Sequence, residues 1–293
     1  MNTPRKYTLL TVCMLIGCLL HACQASKSIT IGTFNIEWLG DNTADDRKIR
    51  TGADDNLLRT VLRDANADIL AVQEIENEQA LQRLVVPSPQ PDTSLQYRFI
   101  LGSTGGKQRV GFLYRPSVEL VWSREITSIA VETGRTRAGL LGLFRSGTAS
   151  VLVMTVHLKA SSRADSTPEL AERAIQLRTA QAAELRRFAD SLAKADSALP
   201  LIILGDFNDS PLKKRTAIDT LYRAPNLTFL TAEQQSCLLP GLPSIDHIVC
   251  NEQAMKRLLR GTLRSISLAA MFSEQDAKRV SDHCPILVQI MVR

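Results

Sequence analysis

The residues of this sequence best suited to chemistry are histidines and acidic residues that follow apolar segments. Three of the four histidines, His157, His247 and His283, lie in the segments TVHLKA, SIDHIV and SDHCPI. A single histidine in such a place is more often a turn or core residue than a catalytic one. Three of them at the polar ends of apolar segments, two directly after an aspartate, indicate a shared site.

Carboxylates occupy the same kind of position, with few soft ligands among them. Such a set suits Mg²⁺, Mn²⁺ or Ca²⁺, whereas zinc prefers several His or Cys residues, and the cysteines here lack its spacing. A hard divalent ion polarises a phosphoryl oxygen, an Asp can deprotonate a water, and an Asp–His pair holds an imidazole in one tautomer. The set predicts metal-assisted hydrolysis of a phosphate ester by these residues: Glu74, Asp206, Asp209, Asp246 and Asp282.

Apolar segments predicted as buried strands carry these side chains. A strand buried in a sheet delivers its last side chain to a fixed place at the rim. Helical patterns alternate with the strands: one has Asp54 or Asp55 as its predicted cap, and a long one covers 168–194. Three prolines predict a loop at 87–91. The predicted strands are FNIEWL, ADILAVQE, RVGFLYRP, SVLVMTVHLKA, LPLIILGDFND, SIDHIVC and DHCPILVQIMV.

The first residues predict an export signal. Arg5 and Lys6 precede an apolar stretch that is too short to span a bilayer comfortably. Its end, Leu-His-Ala-Cys, resembles the bacterial lipoprotein box, in which Cys23 becomes the lipidated first residue. His21 is atypical for that box, so a plain secreted signal stays the alternative. We expect a signal peptide at 1–22, a tether at 23–28 and a single domain at 29–293, anchored to a membrane on the periplasmic or cell-surface side.

Composition and cysteines set broader limits. The chain has 293 residues, 44% of them hydrophobic, which is enough for a sizeable core. Removal of 1–22 leaves a net charge of +3, which permits a phosphate-bearing partner without proving one. The cysteines of the fold are Cys237, Cys250 and Cys284. An exported protein can form disulfides, and Cys237–Cys250 is the first pair we expect; otherwise these are small buried residues.

Six segments in order, FNIEWL, QEIE, HLKA, GDFND, SIDHI and SDHCPI, resemble the endonuclease/exonuclease/phosphatase superfamily. This superfamily includes pancreatic-type DNases, abasic-site endonucleases, sphingomyelinases and inositol-polyphosphate phosphatases. The resemblance covers about residues 28–293. It implies a four-layer α/β sandwich of two mixed β-sheets packed face to face with outer helices, and it places motifs in both halves of one domain.

The resemblance also implies roles for the motif residues. Glu74 is the principal metal ligand, with Asn35 and Asp282 in or near the metal shell. Asp206 orients or deprotonates the attacking water, and Asn208 supports the phosphate.

Histidine roles follow in the same way. Asp246 pairs with His283, which acts on the scissile phosphate or as the base, and His157 binds phosphate or protonates the leaving group. His247 occupies a position that is often another residue in the family and ranks below these.

Substrate-binding candidates are Arg137, Lys159 and Gln108. Arg137 resembles an arginine that contacts the phosphate backbone in the DNase branch, and Lys159 lies two residues beyond His157. Gln108 stands where that branch has a Glu that orients the histidine. Because Gln108 has no charge, His157 is expected to be less readily protonated. Arg178 and Gln181 are expected to be structural supports, and Asp209 a turn cap.

The expected function is an exported phosphodiesterase, most specifically a nuclease, that uses Mg²⁺ or Mn²⁺, with Ca²⁺ as an accessory ion. The alternative substrates are phosphomonoesters, sphingomyelin or other phospholipid headgroups, and a non-catalytic surface lipoprotein is a third hypothesis. Aromatic residues make up 5% of the chain, and it lacks the extended aromatic and basic stripe of many single-strand binders. We expect a monomer.

Overall fold

The computed structural model describes residues 28–86, 95–161, 165–239 and 241–292. The predicted signal, Cys23 and the proline-rich loop at 87–91 lie outside these residues. Ser28, placed at the end of the tether by the sequence, begins the first strand. Within the described ranges, no helix combines the length and apolarity needed to cross a bilayer.

Strands and helices alternate along the described chain. The strands are β1 Ser28–Leu39, β2 Ile69–Ile75, β3 Arg98–Leu101, β4 Arg109–Tyr114, β5 Glu119–Ile126, β6 Gly139–Ser146, β7 Ala149–His157, β8 Leu201–Asp206, β9 Leu227–Phe229, β10 Asp246–Asn251, β11 Arg264–Ser265 and β12 Ile286–Met291. The helices are α1 Gly52–Ala65, α2 Glu78–Val85, α3 Pro168–Ala195, α4 Asp219–Tyr222, α5 Glu252–Arg257, α6 Leu268–Met271 and α7 Glu274–Val280.

Two mixed six-stranded sheets form the centre of the structure. The first has the order β11-β12-β1-β2-β4-β3, and the second has the order β5-β6-β7-β8-β10-β9. Each contains one parallel pair, β1 with β2 and β7 with β8, while the other pairings are antiparallel. A helix crosses over between the strands of each pair, α1 in the first and α3 in the second. The predicted α/β sandwich is confirmed.

Alternation along the strands explains the layers. In β2, Ile69 and Ala71 join an apolar cluster between the sheets, whereas Leu70 and Val72 join a cluster beneath α1 and α2. The central strands of the second sheet alternate in the same way between the inner layer and a cluster under α3 and α4. Since successive side chains of a strand point to opposite faces, strands that are apolar on both faces must be covered on both sides.

The N-terminal cap of one crossover helix, α1, differs from the prediction. The cap of α1 is Thr51, whose hydroxyl accepts a hydrogen bond from the Asp54 backbone N–H while the Asp54 carboxylate accepts from the Thr51 N–H. Asp54 is therefore the third residue of a capping box and not the cap, so the expected cap at Asp54 or Asp55 is wrong by one turn. Helix α3 begins at Pro168, close to the predicted start.

The cysteine pairing also differs from the expectation. A disulfide joins Cys237 to Cys284, with 6.3 Å between the Cα atoms, and Cys250 is a buried free thiol. The expected Cys237–Cys250 pair is wrong because Cys250 lies inside β10, where it pairs with β8 and β9 and faces the inter-sheet core. Burial raises the pKa of the Cys250 thiol to about 12, so it behaves as a small apolar side chain.

Candidate active site

The candidate site lies at the polar end of the layer between the sheets. Asn35 continues the inward-facing positions of β1, His157 those of β7, and Asp206 those of β8. Asp246 begins β10 directly opposite Asp206 in the register. Both parallel pairs end at the same edge of the sandwich. The polar residues at their ends therefore gather there, and the inner layer changes at this edge from apolar to polar and ionisable side chains.

Glu74 reaches this site through an irregular backbone. In β2 it follows the inward Gln73, so regular alternation would turn its side chain outward with Leu70 and Val72. Its φ is +62°, in the left-handed region, and the pairing of β2 shifts register between Val72 and Ile75. Such strand irregularities redirect side chains and concentrate at functional sites. The carboxylate consequently meets Asn35, whose Nδ2 donates to Glu74 Oε1 at 3.2 Å.

A glycine is required just before Asp206. Gly205 has φ +142°, and a Cβ there would lie 1.9 Å from the carbonyl oxygen of Val156 in β7. This close approach of β7 and β8 explains why a glycine precedes the aspartate in GDFND. It sets His157 directly beside Asp206 in the register.

The Asp206 carboxylate is the centre of the site. Its Oδ2 accepts hydrogen bonds from Asn35 Nδ2 and Asn208 Nδ2, each at 3.1 Å, and Oδ1 accepts from the Asn208 backbone N–H at 2.8 Å. Two imidazoles flank the same oxygen, with His157 Nε2 at 3.5 Å and His283 Nε2 at 3.7 Å. The structure thus brings together residues from four distant segments, as the sequence predicts.

Burial gives Asp206 the character of a neutral-pH base. Desolvation, helped by the charge of Asp246 and opposed by the charge of His283, raises the pKa of Asp206 to about 7. A divalent cation beside Glu74 would stabilise the ionised form and lower this pKa. A base with a pKa near the working pH is the most effective kind.

His283 and Asp246 form the predicted pair. His283 Nδ1 lies 2.7 Å from Asp246 Oδ2. Burial by itself would lower the pKa of His283, but the charges of Asp246 and Asp206 outweigh it and hold the pKa well above the ordinary value. His283 is therefore an imidazolium at neutral pH in this arrangement.

His157 has the opposite character. Its side chain is 1% exposed, and burial, together with the positive charges of Arg137, His283 and Lys159, holds its pKa well below the ordinary value. The direction agrees with the expectation, but the cause differs, because Gln108 Oε1 accepts from an Arg137 nitrogen at 3.4 Å and makes no hydrogen bond to His157. His157 Nδ1 has no hydrogen-bond partner among the described residues.

The two basic candidates differ in whether their charged groups already have partners in the structure. Lys159 lies two residues beyond the end of β7, and its Nζ donates to the Ala160 carbonyl and contacts Asp165 at 3.1 Å. Arg137 has a buried Nη1 without a partner among the described residues, in the field of Glu74 and Asp206. Arg137 is the cation available to a substrate anion.

Several predicted supports are confirmed as such. The Gln181 side chain accepts from the Lys159 N–H, and Arg178 donates to the Lys159 carbonyl. Asp209 accepts from the Ala217 and Ser210 N–H groups, holding the turn after β8. His247 is fully buried between Thr231 and the Asp209 carbonyl, and burial lowers its pKa to about 4, so it has a packing role.

Three positioning features were not identified from the sequence. Buried Arg50 donates to the carbonyls of Ile36 and Glu37 after Asn35, and to those of Arg279 and Val280 before the SDH segment. Ser281 donates to the Asn35 carbonyl and accepts from the His283 N–H. Beneath the site, Gln73 bridges Thr33 in β1 and Thr155 in β7. The position of Ser281 in SDH was the one available sequence signal.

Two cavities meet at His283. The larger, of about 1060 Å³, is lined by Glu74, His157, Asp206, Asn208 and Asp282 together with Trp38, Arg47, Gln108, Arg137 and Lys159. The smaller, of about 310 Å³, is lined by Asp246, the disulfide and the exposed side chains of Leu239 and Leu242. All of the predicted site residues of the fold line a cavity except Asn35, which is fully buried behind Glu74.

A family model describes most of this chain. Residues 32–283 match the model of the endonuclease/exonuclease/phosphatase family. The chain belongs to this family. A search of curated proteins finds no significant match.

Solved structures of the family share the fold of this phosphoesterase at low sequence identity. TDP2 of D. rerio, complexed with single strand DNA product, is 17% identical with a TM-score of 0.65, over 91% of this chain and 100% of that chain. The human Nocturnin catalytic domain with bound sulfate is 15% identical with a TM-score of 0.61, over 89% and 93%. A family protein from Bacteroides thetaiotaomicron is 16% identical with a TM-score of 0.60, over 91% and 96%.

Family membership makes the chain a metal-dependent phosphoesterase, a hydrolase, and its donor set fits a divalent cation. Glu74 offers two carboxylate oxygens, which are hard ligands. Asn35 is fully buried, and its Oδ1 accepts from the Glu37 N–H at 2.9 Å, while its Nδ2 donates to Glu74. Asp282 is 68% exposed, and its Oδ1 lies 3.7 Å from His283 Nε2. Asp206, Asp246 and His283 place ligand atoms within 4.8 Å of one another and form a second group that could hold a cation.

Proposed function

We propose that the protein is an exported, Mg²⁺- or Mn²⁺-dependent phosphodiesterase that cleaves nucleic acid. The observation that carries the proposal is the buried Asp206 carboxylate, whose pKa of about 7 and position between Glu74 and two imidazoles suit the activation of water at a phosphodiester.

The side chains divide the chemistry as follows. Asp206 takes a proton from the attacking water, since its Oδ2 lies at the centre of the site. His283, held as an imidazolium by Asp246, stabilises the negative charge that develops on the phosphoryl group. His157 is neutral, since burial lowers its pKa, and it donates a hydrogen bond to the phosphate. Asn208 orients the Asp206 carboxylate.

Glu74 would hold the cation, with Asn35 and Asp282 in or near its shell. When bound there, the ion polarises a phosphoryl oxygen and stabilises the leaving oxyanion. Trp38 N–H donates to Glu74 Oε2 at 3.1 Å and fixes the carboxylate, as an outer partner of a metal ligand does.

Nucleic acid is the favoured substrate because arginines without ion-pair partners in the described ranges line the larger cavity. These are Arg47 and Arg137, and both can contact phosphates. The D. rerio TDP2 structure, with its single strand DNA product, supports the same class. We keep Arg137, Lys159 and Gln108 as substrate-binding residues.

A phospholipid or sphingomyelin headgroup is the second candidate. Leu239 and Leu242 are 59% and 54% exposed beside the smaller cavity, next to His283. Exposed leucines at the mouth of a site are typical of contact with an apolar partner. Phosphomonoesters remain a further alternative within the same chemistry.

Export and membrane anchoring belong to the proposal. The Cys237–Cys284 disulfide supports an oxidising compartment. We propose cleavage after residue 22, lipidation of Cys23, a single monomeric domain over 29–293, and attachment on the periplasmic or cell-surface side. Mass spectrometry of the mature N-terminus should find acylated Cys23; an unmodified terminus elsewhere refutes the anchor.

A substrate panel tests the proposed activity. DNA, RNA, sphingomyelin and inositol phosphates are incubated with the protein in Mg²⁺ or Mn²⁺, with and without excess EDTA. We expect metal-dependent cleavage of nucleic acid, abolished in Asp206→Ala and His283→Ala. Full activity in EDTA or in those variants would refute the mechanism, and activity confined to lipids would reverse the order of the two substrates.

A further inference from the structure

Trp38 is held in a defined place at the wall of the larger cavity. It lies three residues after Asn35, where β1 leaves its regular pairing, and its φ of +54° is in the left-handed region. A tryptophan keeps that conformation only when the surrounding structure holds it. The bond from its backbone N–H to Glu74 Oε2 provides such a constraint, so the Trp38 backbone is held next to the Glu74 carboxylate.

Arg47 covers one face of this indole. Its guanidinium lies 4.8 Å from the ring centroid, although the residue is exposed and comes from the loop between β1 and α1. Both of its chain neighbours are tied down, Asp46 by Lys107 and Lys48 by Glu37. The loop therefore holds Arg47 over the ring without an ion pair in the described part of the chain.

The indole faces a cavity that lacks other aromatic carbon rings. Among the described residues that line it, the remaining rings are the imidazoles of His157 and His283. The Arg47 guanidinium contacts one face of the indole, and Trp38 as a whole is partly exposed at the cavity wall. Every base has a π-face, so stacking on tryptophan is a general way to bind a nucleotide, and an arginine beside it adds charge for the phosphate.

We propose that Trp38 and Arg47 form a nucleobase-binding subsite, in which one base next to the scissile phosphate stacks on the indole. The inference rests on the proposed nucleic-acid activity and specifies which residues recognise the substrate beyond its phosphates. It also accounts for binding without an extended aromatic stripe, since one stacking position beside the scissile bond is sufficient to place the nucleotide.

The test removes the indole and the base separately. Trp38→Ala is assayed on a short single-stranded oligonucleotide with one cleavable linkage, and on two versions in which the nucleotide on either side of that linkage is abasic. We expect kcat/KM to fall about tenfold or more on the intact substrate, mainly through KM. On one of the abasic substrates the variant and the parent should agree within about twofold, because the stacking partner is already missing. Trp38→Phe should retain most of the activity.

Trp122→Ala is the matched control. Trp122 is exposed and, like Trp38, lies beneath an arginine, Arg124 at 5.3 Å, but it belongs to edge strand β5 and does not line the cavity. We expect no change on any of the three substrates. Arg47→Ala should weaken binding to the intact substrate. Its KM should also rise less steeply with added salt than the KM of the parent protein, because one contact to phosphate is lost.

The possible results distinguish failure of the base-binding subsite from failure of the proposed function. Equal loss for Trp38→Ala on all three substrates would mean that the residue acts through Glu74, and no loss would mean that no base stacks; either result overturns the inference while the proposed activity stands. If the parent protein cleaves no nucleic acid at all but turns over lipid, the proposed function fails and the subsite fails with it.

Discussion

The two parallel strand pairs have the same local topology and reach the same site, yet they supply different chemistry. The first pair ends in Asn35 and Glu74, and the Glu74 side chain is 12% exposed at the cavity wall. The second pair ends in His157 and Asp206, whose side chains are 1% and 2% exposed. Oxygen ligands must remain accessible to a hydrated cation, whereas burial is what raises the pKa of a carboxylate toward neutrality. In the proposed mechanism, the partly exposed Glu74 therefore binds the cation and the buried Asp206 takes the proton, while Asn35 is buried behind Glu74 and lies outside this contrast.

Each half is also braced by a buried arginine. Arg50 joins the chain after β1 to the chain before the SDH segment through four carbonyl oxygens. Arg178 of α3 binds the Lys159 carbonyl after β7 and lies 3.5 Å from Asp209 after β8. Both arginines act on backbone that follows a parallel strand, and neither lines the larger cavity.

The largest expected effect is on kcat, and it should distinguish Asp206 from Glu74 by how their variants respond to added Mg²⁺. Asp206→Asn removes the base and should lower kcat by about 10³-fold, with no recovery at high Mg²⁺. Glu74→Gln weakens a ligand while the base remains, so part of its loss should be recovered as Mg²⁺ rises. Metal titrations of kcat for both variants measure this. Recovery in Asp206→Asn, or none in Glu74→Gln, would contradict the division.

A smaller effect on activity should distinguish the roles of the two buried arginines, Arg50 and Arg178. Arg50→Met should lower activity about 10- to 100-fold and shift the Mg²⁺ titration to higher concentration, because the backbone on both sides of the metal ligands loses its support. Arg178→Met should lower activity without that shift. Arg50→Lys and Arg178→Lys keep the charge but lose the several N–H donors of the guanidinium, so they should restore part of the activity. Thermal unfolding of the two Met and two Lys variants checks that each is folded. A shift of equal size in both Met variants would show that the halves are not braced separately.

The smallest effect should measure how firmly the halves are joined. Gln73→Leu and Thr155→Val each remove one side of the hydrogen bond between the sheets, which is 3.0 Å long and buried. We expect each to lower the free energy of unfolding by about 1–3 kcal/mol, with a coupling energy of about 1 kcal/mol in the double-mutant cycle, measured by urea denaturation. Phe112→Leu, in the same layer without a polar partner, is the control for packing loss. A coupling energy near zero would mean that the two sheets are linked by apolar packing alone.

Local patterns in the sequence predicted the strands that carry the site, whereas β3, β5, β6, β9 and β11 were not predicted. His157 and Asp206 were predicted at the polar ends of apolar segments, but these segments are apolar on both faces, so the sequence did not show which face points inward. The order of the motifs identified the family, and the apolar strands on both faces required outer helices. These features depend on residues close together in the chain, so the sequence encodes them directly.

Features that join distant segments required the tertiary structure. Glu74 enters the site through a left-handed backbone and a register shift, which no alternation predicts. Cys284 pairs with Cys237 and not Cys250, because β10 buries Cys250 in the core. Gln108 contacts Arg137, and Arg50 finds carbonyls about 230 residues away. Strand pairing and helix packing choose these partners through space, so they cannot be read from spacing along the chain.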